Sequence, residues 1–173
     1  RLMKVYFVGA GPGDPELLTV KGQRMLKDCR ICIYAGSLVN PEILELLPAD
    51  AVKHDSAGMN LDEIIGVIEA ARDSNRDVVR LHSGDPSIYG AIKEQMHRLD
   101  EIGVDYEVIP GVSSFQASAA ALKTELTAPE TSQTIILTRT SGRTPMPDTQ
   151  ELEDLAKTLS TLCIFLSAHK VGE

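Results

Sequence analysis

The stretch Val8-Gly9-Ala10-Gly11-Pro12-Gly13-Asp14-Pro15-Glu16-Leu17-Leu18-Thr19 constrains the fold more than any other part of the chain. It follows Val5-Tyr6-Phe7-Val8, a short apolar run that reads as a buried strand. It precedes a helical pattern for which Thr19 serves as N-cap. In α/β proteins, a glycine-rich turn between a first strand and a first helix is where a ligand meets the backbone. Two prolines stiffen this turn: Pro12 fixes its own φ and Pro15 restricts Asp14. Such a turn reads as one wall of a cleft.

A dinucleotide fits that wall poorly. The fingerprint needs a third glycine three residues after the second, and Asp14 stands there. Asp14 and Glu16 put negative charge where a pyrophosphate would sit. The next apolar run, Ile31-Cys32-Ile33-Tyr34, ends in Ala35-Gly36, without an acid for a ribose. No Gly-Lys-Ser/Thr follows, so the turn is not a phosphate-binding Walker loop either.

Further along, helical and strand patterns alternate. Helices are expected at 20–27, 41–47, from 61 onward, and through Ile88, Ile92, Met96, Leu99 and Ile102, with a small-residue helix at 115–122 capped by Ser113. Strands are expected at 30–34, 51–54, 77–82 and 106–109. The alternation predicts a parallel-rich N-terminal α/β domain over residues 3–122. Polar residues 123–132 read as a linker. Residues 133–173 then begin a second α/β domain, with strands at 134–138 and 162–166, a long loop at 139–148 and a helix at 150–159. Two strands and one helix leave open sheet edges, so this second domain is expected to be incomplete in the chain. Arg1-Leu2 ahead of Met3 reads as an addition to the natural start.

The formal charge of −8 argues against nucleic acid or an acidic membrane surface as partner. No run of about 20 apolar residues calls for a membrane span. Three cysteines, an odd number, suit a reducing cytoplasm. Cys29 and Cys32 form a C-x-x-C, but the pair straddles a helix end and a strand, and zinc would need two more ligands at matching spacing. They are expected to be buried, idle thiols, with Cys163 a core residue and no metal bound.

Ligands of open α/β sheets sit outside the carboxyl ends of the strands. Three glycine- and proline-bearing loops leave those ends, at 9–15, 83–87 and 110–114. Ser83-Gly84-Asp85-Pro86 offers backbone groups, a hydroxyl and a carboxylate, and with Asp14 it makes an acidic rim better suited to a cation than to phosphate. Taken together, Gly9-Ala10-Gly11-Pro12-Gly13-Asp14-Pro15, Leu17-Leu18-Thr19, Gly84-Asp85-Pro86 and Pro110-Gly111-Val112-Ser113-Ser114 resemble the tetrapyrrole methyltransferases of corrin and sirohaem synthesis. Within that family, residues 33–39 and 140–145 are similar to the corrin-forming branch acting at C11 of the macrocycle.

The resemblance implies two α/β domains, with S-adenosylmethionine held folded in the cleft between them and released as S-adenosylhomocysteine. It places cofactor contacts on Pro12, Ser83, Gly84, Asp85, Ile88, Ser113, Ser114 and Leu166. It also implies an anionic tetrapyrrole as substrate and a homodimer. Arg139 and Arg143 are the candidates for gripping substrate carboxylates, since arginine binds them bidentately. The acid after the second strand in sirohaem-forming relatives is replaced by Ala35-Gly36, and their lysine near Ala57-Gly58 by His54 or Asp55. No catalytic base transfers by resemblance; His54, Asp14 and Asp85 remain weak candidates for taking a proton. The other readings are a nicotinamide oxidoreductase, a different tetrapyrrole methyltransferase and a non-catalytic tetrapyrrole carrier.

Overall fold

A computed structural model describes residues 1–172; Glu173, the last residue of the expected second domain, lies outside the described residues. The opening strand β1 (Lys4–Gly9) is apolar on both faces and buried from Val5 onward, as a central strand covered on two sides must be. After a single 3-10 turn at Pro15–Leu17, helix α1 (Val20–Lys27) begins where Thr19 caps it, its hydroxyl accepting from Gly22 N at 2.9 Å.

The chain continues through β2 (Ile31–Tyr34), α2 (Pro41–Leu44), β3 (Val52–Asp55), α3 (Leu61–Asp73), β4 (Val78–His82), α4 (Ile92–Glu101), β5 (Asp105–Ile109) and α5 (Ser114–Ala121). All five strands are parallel, in the order β3-β2-β4-β1-β5. The pleat sorts their side chains onto two faces. Val5, Phe7, Ile33 and Val78 pack under Ile64, Ile65 and Ile68 of α3 and Ile92 and Leu99 of α4. Tyr6, Val8, Cys32, Val79 and Leu81 pack under Leu26 of α1 and Ile43 of α2.

The strand order explains which helix covers which face. From β1 the chain steps toward β3 through α1 and α2, and from β3 it steps back toward β5 through α3 and α4. Right-handed crossovers in opposite directions lay their helices on opposite faces. Neighbouring strands β1 and β4 therefore send their connections opposite ways. This is a topological switch point, where a crevice opens at the carboxyl ends of the strands.

The chain divides into a first unit, Arg1–Ala117, and a second from Ser118 onward. Within the stretch expected as a linker, Ala128 and Ser132 close a turn by reciprocal backbone bonds of 2.8 and 3.0 Å. The second unit pairs β6 (Ile135–Arg139) with β7 (Thr161–Phe165) in parallel, with α6 (Leu152–Ala156) between them in sequence. Among the described residues, no helix is long and apolar enough to cross a membrane.

Several expected boundaries shift for local reasons. Helix α2 ends at Leu44 rather than residue 47, because Leu46 and Leu47 already bond to Ile43 and Leu44 in tighter i to i−3 turns before Pro48. Helix α4 starts at Ile92, and Ile88 belongs to the preceding loop: Tyr89 and Ala91 have φ of 53° and 52°, outside the helical region. Helix α6 is only five residues long, since extended Glu151 separates it from a 3-10 turn and Leu159, at φ 56°, lies beyond its end. Cys163 is half-buried rather than a full core residue, in a two-stranded sheet that also leaves Ile164 exposed.

Replacing Thr19 by Ala removes the cap of α1. The expected outcome is a loss of about 1 kcal/mol in unfolding free energy, read from urea denaturation.

Candidate active site

The register of the sheet brings the three loops to one level. Gly9 pairs with His82 and Val8 with Ile109, so the chain leaves β1, β4 and β5 side by side. Beyond the strands the loops stay joined. Ala10 N donates to His82 O at 2.6 Å, Gly84 N to Gly11 O at 2.8 Å and Gly11 N to Gly84 O at 3.2 Å. A Cβ on Gly9 would lie 2.5 Å from the Gly84 carbonyl oxygen and 2.7 Å from Gly111 Cα, so only glycine permits the approach. Gly84 itself is left-handed, at φ 61°.

Asp85 ties the second loop to the third. One carboxylate oxygen accepts from Gly111 N at 2.9 Å, and the other closes the turn of its own loop by accepting from Ser87 N at 2.8 Å. Ser113 is buried at the start of α5, and its N donates to Gln116 Oε1 at 2.7 Å, half of a capping box. Asn40 donates to Gly13 O at 2.8 Å, bracing the first loop from the segment after β2.

The structure thus gathers the loops of Pro12, of Ser83, Gly84, Asp85 and Ile88, and of Ser113 and Ser114 at the switch point. Pro12 directly follows the Gly11 bridge and is half-buried, while Ser83 and Ser114 are exposed. Asp14 lies exposed in the first loop and caps its 3-10 turn by accepting from Glu16 N at 2.9 Å. His54 does not join this group. It sits in edge strand β3 and lines a cavity of about 570 Å³ with Val52, Met59 and Val67, on the α3 side of the sheet. Leu166, Arg139 and Arg143 belong to the second unit. Leu166 follows β7 at φ 56° and lines a cavity of about 660 Å³ with Thr140, Leu152 and Lys170. Arg139 donates to the carbonyls of Thr140, Thr144 and Pro145 and so holds its own loop in shape; Arg143 is exposed on that loop.

One polar cluster beneath the rim escaped the sequence reading. Arg80 is buried in β4, donating from Nε to Gln95 Oε1 at 3.2 Å and from Nη1 to Ile33 O at 3.4 Å. Gln95 in turn donates to Ala91 O at 3.2 Å, fastening the start of α4. Burial pulls Arg80 down to about 10, which leaves it cationic at neutral pH. Burial, with Arg80's charge adding to it, pulls His82 down to about 3, and its Nε2 has no hydrogen-bond partner among the described residues. A charged residue inside the apolar run Val78-Val79-Arg80-Leu81 was the available signal.

The gathered groups are backbone carbonyls and amides, hydroxyls and a carboxylate. That donor set suits a cationic ligand with polar ends. Asp85 is engaged at both oxygens and His82 is held neutral, so neither stands ready as a strong base.

Two tests follow. Gly9→Ala forces apart backbones that already touch and should cost about 1–3 kcal/mol, whereas Gly58→Ala, with nothing within 4 Å of the added carbon, stays within about 0.5 kcal/mol. His82 binds a proton more readily unfolded than folded. Its contribution to stability is complete above the unfolded value of 6.5 and is lost as pH falls toward about 3. Between pH 7 and 5 the urea midpoint should fall in the wild type, and His82→Gln should flatten that part of the slope.

Comparison with known proteins gives the site its setting. The sequence model of the Tetrapyrrole (Corrin/Porphyrin) Methylases matches residues 4–173. The chain is 56% identical over 170 residues to a cobalt-precorrin-4 C(11)-methyltransferase of Methanocaldococcus jannaschii, covering 98% of this chain and 66% of that protein. It superposes on a crystal structure of a cobalt precorrin-4 methyltransferase with a TM-score of 0.94 at 47% identity, covering 97% of this chain and 70% of the other. Against a uroporphyrin-III C-methyl transferase of Thermus thermophilus complexed with S-adenosylhomocysteine, the TM-score is 0.75 at 30% identity, over 96% of this chain and 67% of that one. The chain spans about two thirds of the length of these relatives. By the extent of the match and the level of identity, it belongs to the tetrapyrrole (corrin/porphyrin) methylase family.

Proposed function

We propose that the protein methylates C11 of precorrin-4 or cobalt-precorrin-4 in cobalamin biosynthesis, using S-adenosylmethionine. The observation that carries this reading is the joining of three loops at the switch point by the Gly11–Gly84 bridge and the Asp85–Gly111 bond. The relatives named for this reaction support it. The rim matches a sulfonium cofactor better than a nicotinamide, since it offers carbonyls and carboxylate rather than a phosphate site.

Pro12, Ser83, Gly84, Asp85, Ile88, Ser113 and Ser114 are the residues we assign to the cofactor, with Leu166 added on the family resemblance alone. The cofactor supplies a methyl group on a positively charged sulfur, which is already a good leaving group. The chain's task is to hold that methyl in line with an electron-rich ring carbon. Positioning at about 3–3.5 Å supplies much of the acceleration in such a displacement. No side chain need abstract a proton for the carbon–carbon bond to form, in keeping with loop carboxylates that serve as ties. Arg143 is the candidate for a substrate carboxylate, on the loop that Arg139 braces.

Calorimetric titration should show binding of S-adenosylmethionine and S-adenosylhomocysteine, weakened at least tenfold by Asp85→Ala. Labelled methyl donor should transfer its label to precorrin-4 or its cobalt form. Transfer to uroporphyrinogen III instead would move the protein to another branch of the family. Macrocycle binding without transfer would make it a carrier, and binding of NAD in place of the methyl donor would overturn the reading. We also propose a cytoplasmic homodimer; light scattering that reads a monomer would overturn the dimer.

A further inference from the structure

The loop that carries Ser83, Gly84, Asp85 and Ile88 runs on to Ala91, and its two ends are held differently. At the near end, Asp85 accepts from Gly111 N at 2.9 Å and Gly84 bridges Gly11. At the far end the hold comes from the core. Gln95, buried in α4, donates to Ala91 O at 3.2 Å and accepts from Arg80 Nε at 3.2 Å; Arg80 in turn reaches Ile33 O of β2 at 3.4 Å. The segment held in this way is strained. Tyr89 and Ala91 are both left-handed, at φ 53° and 52°, a region that residues with a Cβ avoid. Between them, a Cβ on Gly90 would lie 2.1 Å from Pro86 O, so the loop doubles back tightly on itself. At Ala91, where α4 starts, no side chain caps the helix. Strained backbone persists where its surroundings over-determine it, and it gathers at ligand-binding sites. Stability alone does not call for the pair that does the holding, because exchanging a buried charge for a well-packed apolar chain is often neutral or stabilising.

We propose that Arg80 and Gln95 are positioning residues for the cofactor: acting through Ala91, they set the shape of the 83–91 loop and with it the placing of the groups that meet S-adenosylmethionine. The inference rests on the methyltransferase reading. Both side chains are buried below the rim, so they act on the ligand through the loop. The planar guanidinium donates in two fixed directions, toward α4 from Nε and toward β2 from Nη1, and so registers the start of the helix against the sheet. Gln95 can relay that register because its amide accepts at one atom and donates at the other. A carboxylate in its place could still accept from Arg80 but could not donate to Ala91 O.

That difference supplies the test, with S-adenosylhomocysteine affinity read by calorimetry and loop order read by amide hydrogen exchange of the unliganded protein. Gln95→Glu keeps a partner for Arg80 and should stay folded, yet its Kd should rise about tenfold. Exchange over residues 84–91 should quicken about fivefold while β1 stays unchanged. Glycine takes the left-handed region freely, so adding Ala91→Gly to Gln95→Glu should bring the Kd back to within about threefold of the wild type. Arg80→Met leaves Gln95 with nothing behind it and should weaken binding in the same direction. Val104→Ala opens the core at the other end of the sheet, where Val104 is buried just ahead of β5; it should lower the urea midpoint and leave the Kd within about twofold. Equal binding by the wild type and Gln95→Glu would overturn the inference alone. So would a loss in Val104→Ala as large as that in Gln95→Glu, or no recovery on adding Ala91→Gly. A wild-type protein that binds neither S-adenosylmethionine nor its product would instead overturn the methyltransferase reading, and this assignment with it.

Discussion

Where the chain leaves β1, β4 and β5, three backbones pass close enough that Gly9 and Gly111, both against the Gly84 carbonyl, have no room for a side chain. The rest of the first unit is arranged to make that contact possible. Parallel pairing in register delivers the loops to one height, and the reversal of crossover direction between β1 and β4 keeps either helix from covering the rim. The bridge between Gly11 and Gly84 then extends the sheet's hydrogen bonding a step beyond the strands. The loops are therefore a continuation of a rigid scaffold, with two prolines in the first of them limiting its remaining freedom.

Electrostatics at the rim divides into two layers. Above, Asp14 and Asp85 spend their carboxylates on backbone N–H groups, which sets loop shape. Below, Arg80 carries a buried charge satisfied by Gln95 and the Ile33 carbonyl rather than by an acid. A buried cation with neutral partners is costly. It links β4 to α4 across the sheet face, and the turn through Tyr89 to Ala91 hangs from that link. The neighbouring imidazole of His82 answers both pressures, burial and like charge, by staying neutral.

Features local in the chain were legible from residues alone. Thr19 as a cap, the bounds of α1, the five strands and the parallel alternation all follow from patterns spanning a few residues. The start of α4 was not, because Ile88 fits the helical period of Ile92, Met96 and Leu99 while two left-handed residues intervene. His54 was grouped with the candidate acid–base residues by its place in sequence, yet β3 sits at the sheet edge, two strands from β4. The Arg80–Gln95 link joins residues fifteen apart on different elements, and no spacing rule couples a mid-strand arginine to a glutamine on the next helix.

By itself the sequence determined that three stiff turns would follow strands of one sheet, that the first of them lacks the dinucleotide fingerprint, and which family the chain resembles. These depend on residue type and near neighbours, where glycine, proline and capping residues act through a few covalent bonds. Tertiary structure alone decided that Gly9, Gly84 and Gly111 touch, that Asp85 serves as a tie, and that His82 is neutral. Contact, hydrogen-bond partnership and desolvation are properties of groups brought together from far apart in the chain, and they exist only once the sheet has set its strand order.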